Sequence, residues 1–325
     1  MKNNLPLVSI SCMTFNHVDY LRACFEGFLM QQTNFIFEIL VHDDASTDGT
    51  KAIIEEYTTK HPSIFFPLYQ PENIYSKGER GLMVRFNFSR ARGKYIATCD
   101  GDDYWTDPLK LQKQVDFLEQ NDAYSFCFHD VLEIKQNSDT QVRRIGNRKI
   151  DTTVDLKSVL IENNFPTASL VVRTSAYPTT DAIISKTSKG DYTLVVHFAE
   201  KGLGKYIPDV MAAYRMHNGG VWSLKDDAYK LAENIKFYNL LYDYFIDPSI
   251  RKVIAQKRNK TIESQSFITL REGQIFKGMK AIVGHWNCTT DKRLRGASIR
   301  KILSAVKSGI TNKKYCCNSS NKFEE

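Results

Sequence analysis

The sequence has no run of about 18 apolar residues and no apolar leader core behind a basic N-terminus. A membrane-spanning helix is therefore not expected, and the chain reads as soluble and cytoplasmic. Its seven cysteines include no Cys-x-x-Cys pair and have no histidine at zinc-ligand spacing, which argues against a zinc ribbon, a redox pair and structural disulfides. Cys12 and Cys99 lie inside apolar runs and read as small buried hydrophobes. There is no internal repeat, no low-complexity segment and no basic motif interleaved with aromatics, so nucleic acid is not an expected partner. What is present is ordinary globular composition, 42% hydrophobic and 25% charged. At 325 residues the chain has room for one large or two unequal domains.

Charge divides the chain. Of the net +7, residues 226–325 carry +9 and residues 1–225 carry −2. We therefore expect a first domain over 1–225 and a basic, mainly helical region over 226–325.

In the first part, short apolar runs alternate with helical periodicity. Leu7–Met13, Phe35–Val41 and Tyr95–Cys99 read as buried strands. Helices follow from Val18 to Gln32, after Gly49, and after Asp107-Pro108, where Asp107 is expected as N-cap and Pro108 as first helical residue. Further strands are expected over Tyr124–Ile134, Ser169–Arg173 and Val210–Met216. This order predicts an α/β fold whose ligand lies beyond the carboxyl ends of the strands. Two acidic clusters fall at such ends, Asp43-Asp44 and Asp100-Gly101-Asp102-Asp103.

Three carboxylates within four residues raise one another's pKa unless a cation or strong donors compensate. A hard divalent ion, held by one or two carboxylates plus substrate phosphate oxygens, is one solution; a solvated turn that caps the next helix is the other. Asp43 and Asp44 can accept hydrogen bonds from a nucleobase or ribose, whereas Ser46 and Asp48 fit the cap of the following helix.

These residues carry a resemblance. The sequence is similar to family 2 glycosyltransferases of the GT-A fold, bacterial builders of surface polysaccharide among them, through Val8–Asn16, Glu38–Thr50, Ala91–Ala97, Cys99–Pro108, Gly190–Leu194 and Tyr214–Ser223, in the family's order over roughly residues 5–225. The resemblance implies a mixed, mainly parallel sheet with a C-terminal helical extension. It implies a hexosyltransferase-like, inverting enzyme that takes a nucleotide-diphosphate sugar to a saccharide or lipid-linked acceptor. By position, Thr14 and Asp43 or Asp44 would hold base and ribose. Asp102 would bind Mn²⁺ or Mg²⁺, with Asp100 near the ribose or the ion, and His217 would complete the metal and diphosphate site beside Arg215. Arg92 would be a phosphate or nucleotide contact. Asp191 would be the general base, preceded by Gly190 where many relatives carry Glu.

Two other readings stand beside this one. A sugar nucleotidyltransferase would usually open on a glycine-rich phosphate loop, but Ser9–Asn16 contains no glycine. A non-catalytic nucleotide-sugar scaffold need not keep both Asp102 and Asp191. Trp105 and Trp222 suit either sugar stacking or core packing, and Phe165–Ser169 suits either a plain turn before a strand or an acceptor-side loop. In the tail, Leu231, Ile235, Tyr238, Tyr242 and Phe245 form one helical stripe; two more follow, Phe276–Val283 and Ile299–Val306. A basic amphipathic helix can lie on an anionic membrane surface, and it can equally pack on the catalytic domain or in a dimer.

Overall fold

The computed structural model describes residues 5–135, 141–145, 153–162, 165–177, 183–220 and 225–271. The chain divides into two compact units, Met1–Ser223 and Leu224–Glu325.

The first unit runs β1 (Val8–Thr14), α1 (Leu21–Leu29), β2 (Phe37–Asp43), α2 (Thr50–Lys60), β3 (Phe65–Tyr69), β4 (Tyr95–Thr98), β5 (Tyr104–Trp105) and α3 (Lys110–Gln120). It continues β6 (Tyr124–Lys135), β7 (Gln141–Ile145), β8 (Thr153–Val154), α4 (Leu156–Ile161), β9 (Val171–Arg173), α5 (Gly190–Lys201) and β10 (Leu203–Met216). Its sheet has the order β3-β2-β1-β4-β9-β6-β10-β5, with β7 on β6 and β8 on β10. β3, β2, β1 and β4 are mutually parallel, as the alternating pattern predicts. β9 then runs antiparallel to both β4 and β6, and a long parallel β6–β10 pair forms the second half, so the sheet is mixed.

β1 is buried on both faces, which explains its nearly unbroken apolar reading. Val8, Ile10 and Cys12 belong to the same core as Phe25 and Phe28 of α1 and Ile54 of α2. On alternate positions, Ser9 and Ser11 meet polar partners instead. The Asn87 amide donates to Ser11 Oγ at 3.1 Å and to the Leu40 carbonyl at 3.0 Å. Cys12, Cys24, Cys99 and Cys127 are buried free thiols. Asp107 Oδ1 accepts from the Leu109 N–H at 2.8 Å, but regular helix begins at Lys110, two residues later than the Pro108 expectation.

In the second unit, α6 (Asp227–Tyr244) is capped by Asp226, which accepts from the Tyr229 N–H at 2.7 Å. α7 (Pro248–Arg271) starts at the expected break, where Asp247 Oδ1 accepts from the Ser249 N–H at 2.6 Å. Of the expected stripe, Tyr238 and Phe245 are buried; Phe237 and Leu241 replace Leu231 and Ile235 as its deepest members. The stripes at 276–283 and 299–306, the basic clusters beside them, and Trp222 lie outside the described residues. Among the described residues no helix is long and apolar enough to cross a membrane.

Candidate functional site

The parallel arrangement brings the carboxyl ends of β1, β2 and β4 together. Thr14 and Asp43 are register partners, and Thr14 Oγ1 donates to Asp43 Oδ1 at 3.0 Å. Asp43 also accepts from the Ser46 N–H at 3.1 Å and from its hydroxyl, so it braces its own loop and does not border the cleft. Asp44 does border the cleft, but its two oxygens each take a backbone N–H at 3.0 Å, from Ile74 and Tyr75. Both residues are thus in use holding loops around the cleft. Asp48 is structural, as read: Oδ1 accepts from Thr50 N–H at 3.0 Å and Oδ2 from Val18 N–H at 3.0 Å. The chain leaves both strands through left-handed residues, Asn16 (φ 55°) and Ala45 (φ 62°); for alanine that conformation is strained.

The second cluster, after β4, ties to the end of β10. Asp103 is buried and its Oδ1 accepts from the Arg215 backbone N–H at 3.0 Å. The Arg215 guanidinium donates to the Asp102 carbonyl at 2.7 Å and lies 4.4 Å from the Tyr104 ring centroid. Asp102 Oδ2 stands 3.0 Å from His217 Nε2 and 3.7 Å from His17 Nε2. The Gly219 N–H donates to His217 Nδ1 at 3.2 Å, which puts the ring proton of neutral His217 on Nε2, where Asp102 accepts it. Gly101 is required between the aspartates, because a Cβ there would sit 2.8 Å from Thr14 Cγ2.

The electrostatics are those of crowded acids. Burial, then the Asp102 and Asp191 charges, push Asp100 up to about 8. Burial and the Asp102 charge push Asp103 well above the carboxylate range, against the Arg215 hydrogen bond. Burial works the same way on Asp102, but the His217 hydrogen bond and the two histidine charges outweigh it and hold that carboxyl low. Burial pushes Tyr214 up to about 12, helped by Asp103, Asp102 and Glu133.

These groups line one cleft of about 770 Å³, a size ordinary for a small-molecule site. Thr14, Asp44, Asp100, Asp102, Asp191, Arg215 and His217 all border it. Asp191 sits in the first turn of α5 with Oδ1 accepting from the Tyr192 N–H at 2.8 Å. Tyr192, Leu194 and Val195 turn into the core while Asp191 stays exposed. A Cβ on Gly190 would meet nothing within 4 Å, so the departure from Glu at that position costs no packing. Phe165, Pro166 and Thr167 form part of the wall.

The expectation for Arg92 is corrected, and the open choice for Trp105 is decided. Arg92 is not at the cleft: it precedes β4, at the amino end of the sheet, where Nε donates to buried Glu38 Oε2 at 2.7 Å. Trp105 is core: 1% exposed, it donates from Nε1 to the Ala168 carbonyl at 3.0 Å and packs edge-on against Phe28. The sequence reading missed His17, Arg80, Asp103 as a brace, Glu133 and Tyr214. His17 follows the Thr14-Phe15-Asn16 strand end directly, and that position was its available signal.

Among the described residues no group of three His, Cys, Asp or Glu side chains stands ready to hold a metal by itself. The donor set nevertheless fits a divalent ion that arrives with a phosphate ligand. Asp102 supplies an ionised carboxylate, His217 its Nε2 once the proton it shares with Asp102 leaves, and the remaining positions fall to substrate oxygens and water.

The family model for glycosyl transferase family 2 matches residues 9–176. An uncharacterized Mycobacterium tuberculosis protein is 38% identical over 219 residues, 66% of this chain, and the chain spans only 60% of that relative's length. The Escherichia coli enzyme WfaP, a UDP-Glc:alpha-D-GlcNAc-diphosphoundecaprenol beta-1,3-glucosyltransferase, is 27% identical over 243 residues, 73% of this chain and 86% of its own. The mannosyltransferase PcManGT from Pyrobaculum calidifontis, solved with GDP-Man and Mn²⁺, superposes with a TM-score of 0.55 at 13% identity, covering 95% of this chain and 88% of that one. That likeness shows the GT-A fold. With a family model matched over more than half its length, the chain belongs to glycosyl transferase family 2.

Proposed function

We propose that the protein is a metal-dependent, inverting glycosyltransferase that moves a sugar from a nucleoside-diphosphate donor to a saccharide or lipid-linked saccharide in surface-polysaccharide synthesis. One observation carries the reading: six acidic residues border the cleft (Asp44, Asp100, Asp102, Asp103, Glu133 and Asp191) against two arginines (Arg80 and Arg215). That wall offers a diphosphate little attraction by itself, and burial first, then the neighbouring acids, push Asp100 and Asp103 up in the absence of a cation. A cation between the acids and the diphosphate satisfies both. WfaP's lipid-linked acceptor and PcManGT's GDP-Man and Mn²⁺ support the same reading by family likeness.

Asp102, kept ionised, and His217 would hold Mn²⁺ or Mg²⁺. When bound, the ion supplies Lewis-acid stabilisation of the leaving diphosphate. The chain's own residues do the rest. Arg215, fixed by the Asp102 carbonyl and the Tyr104 ring, offers a positive charge beside the diphosphate. Asp44 holds the Ile74–Tyr75 backbone over the nucleotide end of the cleft. Asp191 keeps one oxygen in its helix turn and uses the other to take the proton of the attacking hydroxyl, which is general base catalysis worth roughly 10²–10⁴-fold. Attack from the face opposite the diphosphate inverts the anomeric centre. With a lipid-linked acceptor, the +9 charge of residues 226–325 suits the anionic inner face of a membrane.

Incubation with Mn²⁺ and a panel of nucleotide sugars tests this. Slow release of nucleoside diphosphate without acceptor is expected. Pyrophosphate release from a nucleoside triphosphate and sugar phosphate would instead establish the nucleotidyltransferase. No product with either would leave the scaffold reading.

A further inference from the structure

We propose that Tyr214 recognises the sugar being transferred: its phenol donates a hydrogen bond to a hydroxyl of that sugar and so helps set which donor the cleft accepts. The inference rests on the glycosyltransferase reading above and concerns a side chain which that reading does not use.

Tyr214 lies near the carboxyl end of β10, half-buried, packed against the core that includes Ala212 and Val131, and it borders the cleft. Phenylalanine would pack there equally well, so packing accounts for the ring and not for the hydroxyl. Tyrosine hydroxyls usually find a partner when the ring is buried, and other tyrosines of the first unit follow that rule. Tyr206, on the same strand, donates to Asp130 Oδ1 at 2.7 Å. Tyr95 donates to Glu119 Oε1 at 2.8 Å, and Tyr192 to the Val159 carbonyl at 2.7 Å. The Tyr214 hydroxyl makes no hydrogen bond among the described residues, although four acids stand near it. It is a donor left for a ligand of the cleft. The surroundings say what kind of ligand. A sugar hydroxyl both gives and takes a hydrogen bond, so a phenol donor set among carboxylate acceptors suits it. A phosphate only accepts, and it gains nothing from the acids.

Position separates the donor's sugar from the acceptor's. Tyr214 is in register with Glu133 of β6, another residue of the cleft wall. The next residue, Arg215, is tied to the acidic turn twice: its N–H donates to Asp103 Oδ1 at 3.0 Å and its guanidinium to the Asp102 carbonyl at 2.7 Å. The acids whose charges weigh most on the phenol are accordingly Asp103, Asp102, Glu133 and Asp100. Asp191 is not among them, although it acts on Asp100. Charge effects fall with distance, so Tyr214 stands on the diphosphate side of the cleft and the general base stands beyond Asp100. The group between a departing diphosphate and that base is the donor's sugar. Burial and the same acids keep the phenol protonated, as a donor must be.

The test is calorimetry on the full chain with Mn²⁺, wild type against Tyr214→Phe, using UDP, GDP, UDP-Glc, UDP-Gal, UDP-GlcNAc and GDP-Man. For the sugar nucleotide that the wild type binds best, Tyr214→Phe should lose about tenfold in affinity, while the free nucleoside diphosphate changes by less than about twofold. Monodeoxy versions of that sugar nucleotide then locate the contact. One of them should bind the wild type about tenfold more weakly than the parent and bind both proteins alike. The wild-type half of that series preserves the test if Tyr214→Phe fails to fold. Equal affinity of the two proteins for the sugar nucleotide, an equal loss of sugar nucleotide and free nucleotide, or no deoxy donor weaker than the parent on the wild type overturns the proposal. If the wild type binds no nucleotide with Mn²⁺, the donor reading itself falls and this one with it. Nucleotide binding that no sugar alters overturns only the role of Tyr214.

Discussion

The two ends of the parallel strands use the same residue types in opposite ways. At the amino end, Glu38 is 2% exposed and fully engaged: it accepts from Ser9 Oγ at 2.6 Å, the Arg92 N–H at 2.9 Å and the Arg92 guanidinium. At the carboxyl end, Asp100, Asp102 and Asp103 crowd together with one arginine side chain and two histidines, and the pKa values of Asp100 and Asp103 climb. The lesson is that buried acid alone does not mark function. A carboxylate whose oxygens are satisfied builds the fold, and carboxylates that repel one another await something from solution.

The contrast can be broken or sharpened by substitution. The largest effect is expected from Asp191→Asn: transfer should fall about 10²–10⁴-fold while donor binding by calorimetry is kept. Full transfer by that variant would remove Asp191 as base. Next, Asp102→Asn should lower Mn²⁺-dependent donor affinity by roughly 10²-fold with little change in melting temperature. The amide oxygen still accepts from His217, and the repulsion on Asp100 and Asp103 falls as the histidine pairing is lost. Arg92→Ala should do the reverse. It strips charged hydrogen bonds from buried Glu38 and should destabilise by about 2 kcal/mol in urea unfolding, with donor affinity unchanged.

The smallest effect concerns a buried cation away from both ends. Lys110 is wholly buried, donates to Gln114 Oε1 at 2.7 Å and lies 4.1 Å from the Trp105 ring centroid. Burial lowers its pKa from 10.5 to about 7. Between those values the unfolded chain binds the proton that the folded chain does not, so this group's contribution to stability rises with pH. From pH 7 to 9 the wild type should gain on Lys110→Met by an amount on the order of 1 kcal/mol, roughly 2–4 °C in melting temperature. Parallel pH profiles would deny the burial effect.

Much of this was legible in the sequence because fully buried parallel strands read as apolar runs that end at acidic turns, as β1, β2 and β4 do. β3 escaped notice because Pro67 interrupts it, and β5 and β8 because they are two residues long. β10 reaches back to Leu203, farther than expected, since Pro208 and Asp209 interrupt the apolar pattern at a register shift against β6. Arg92 was misplaced because its type suggested phosphate, although its position before β4 already put it at the wrong end. The acidic clusters could be found by spacing. That Asp43 and Asp44 spend their oxygens on Thr14, Ser46, Ile74 and Tyr75 depends on loop geometry that local sequence does not encode.

The central claim is that the cleft accepts a nucleoside diphosphate only together with a divalent cation. Calorimetric titration of the full chain with UDP and with GDP, each with Mn²⁺ and with EDTA, tests it most directly. The account predicts measurable binding of at least one nucleotide with Mn²⁺ and its loss on chelation. Equal binding in EDTA would contradict it.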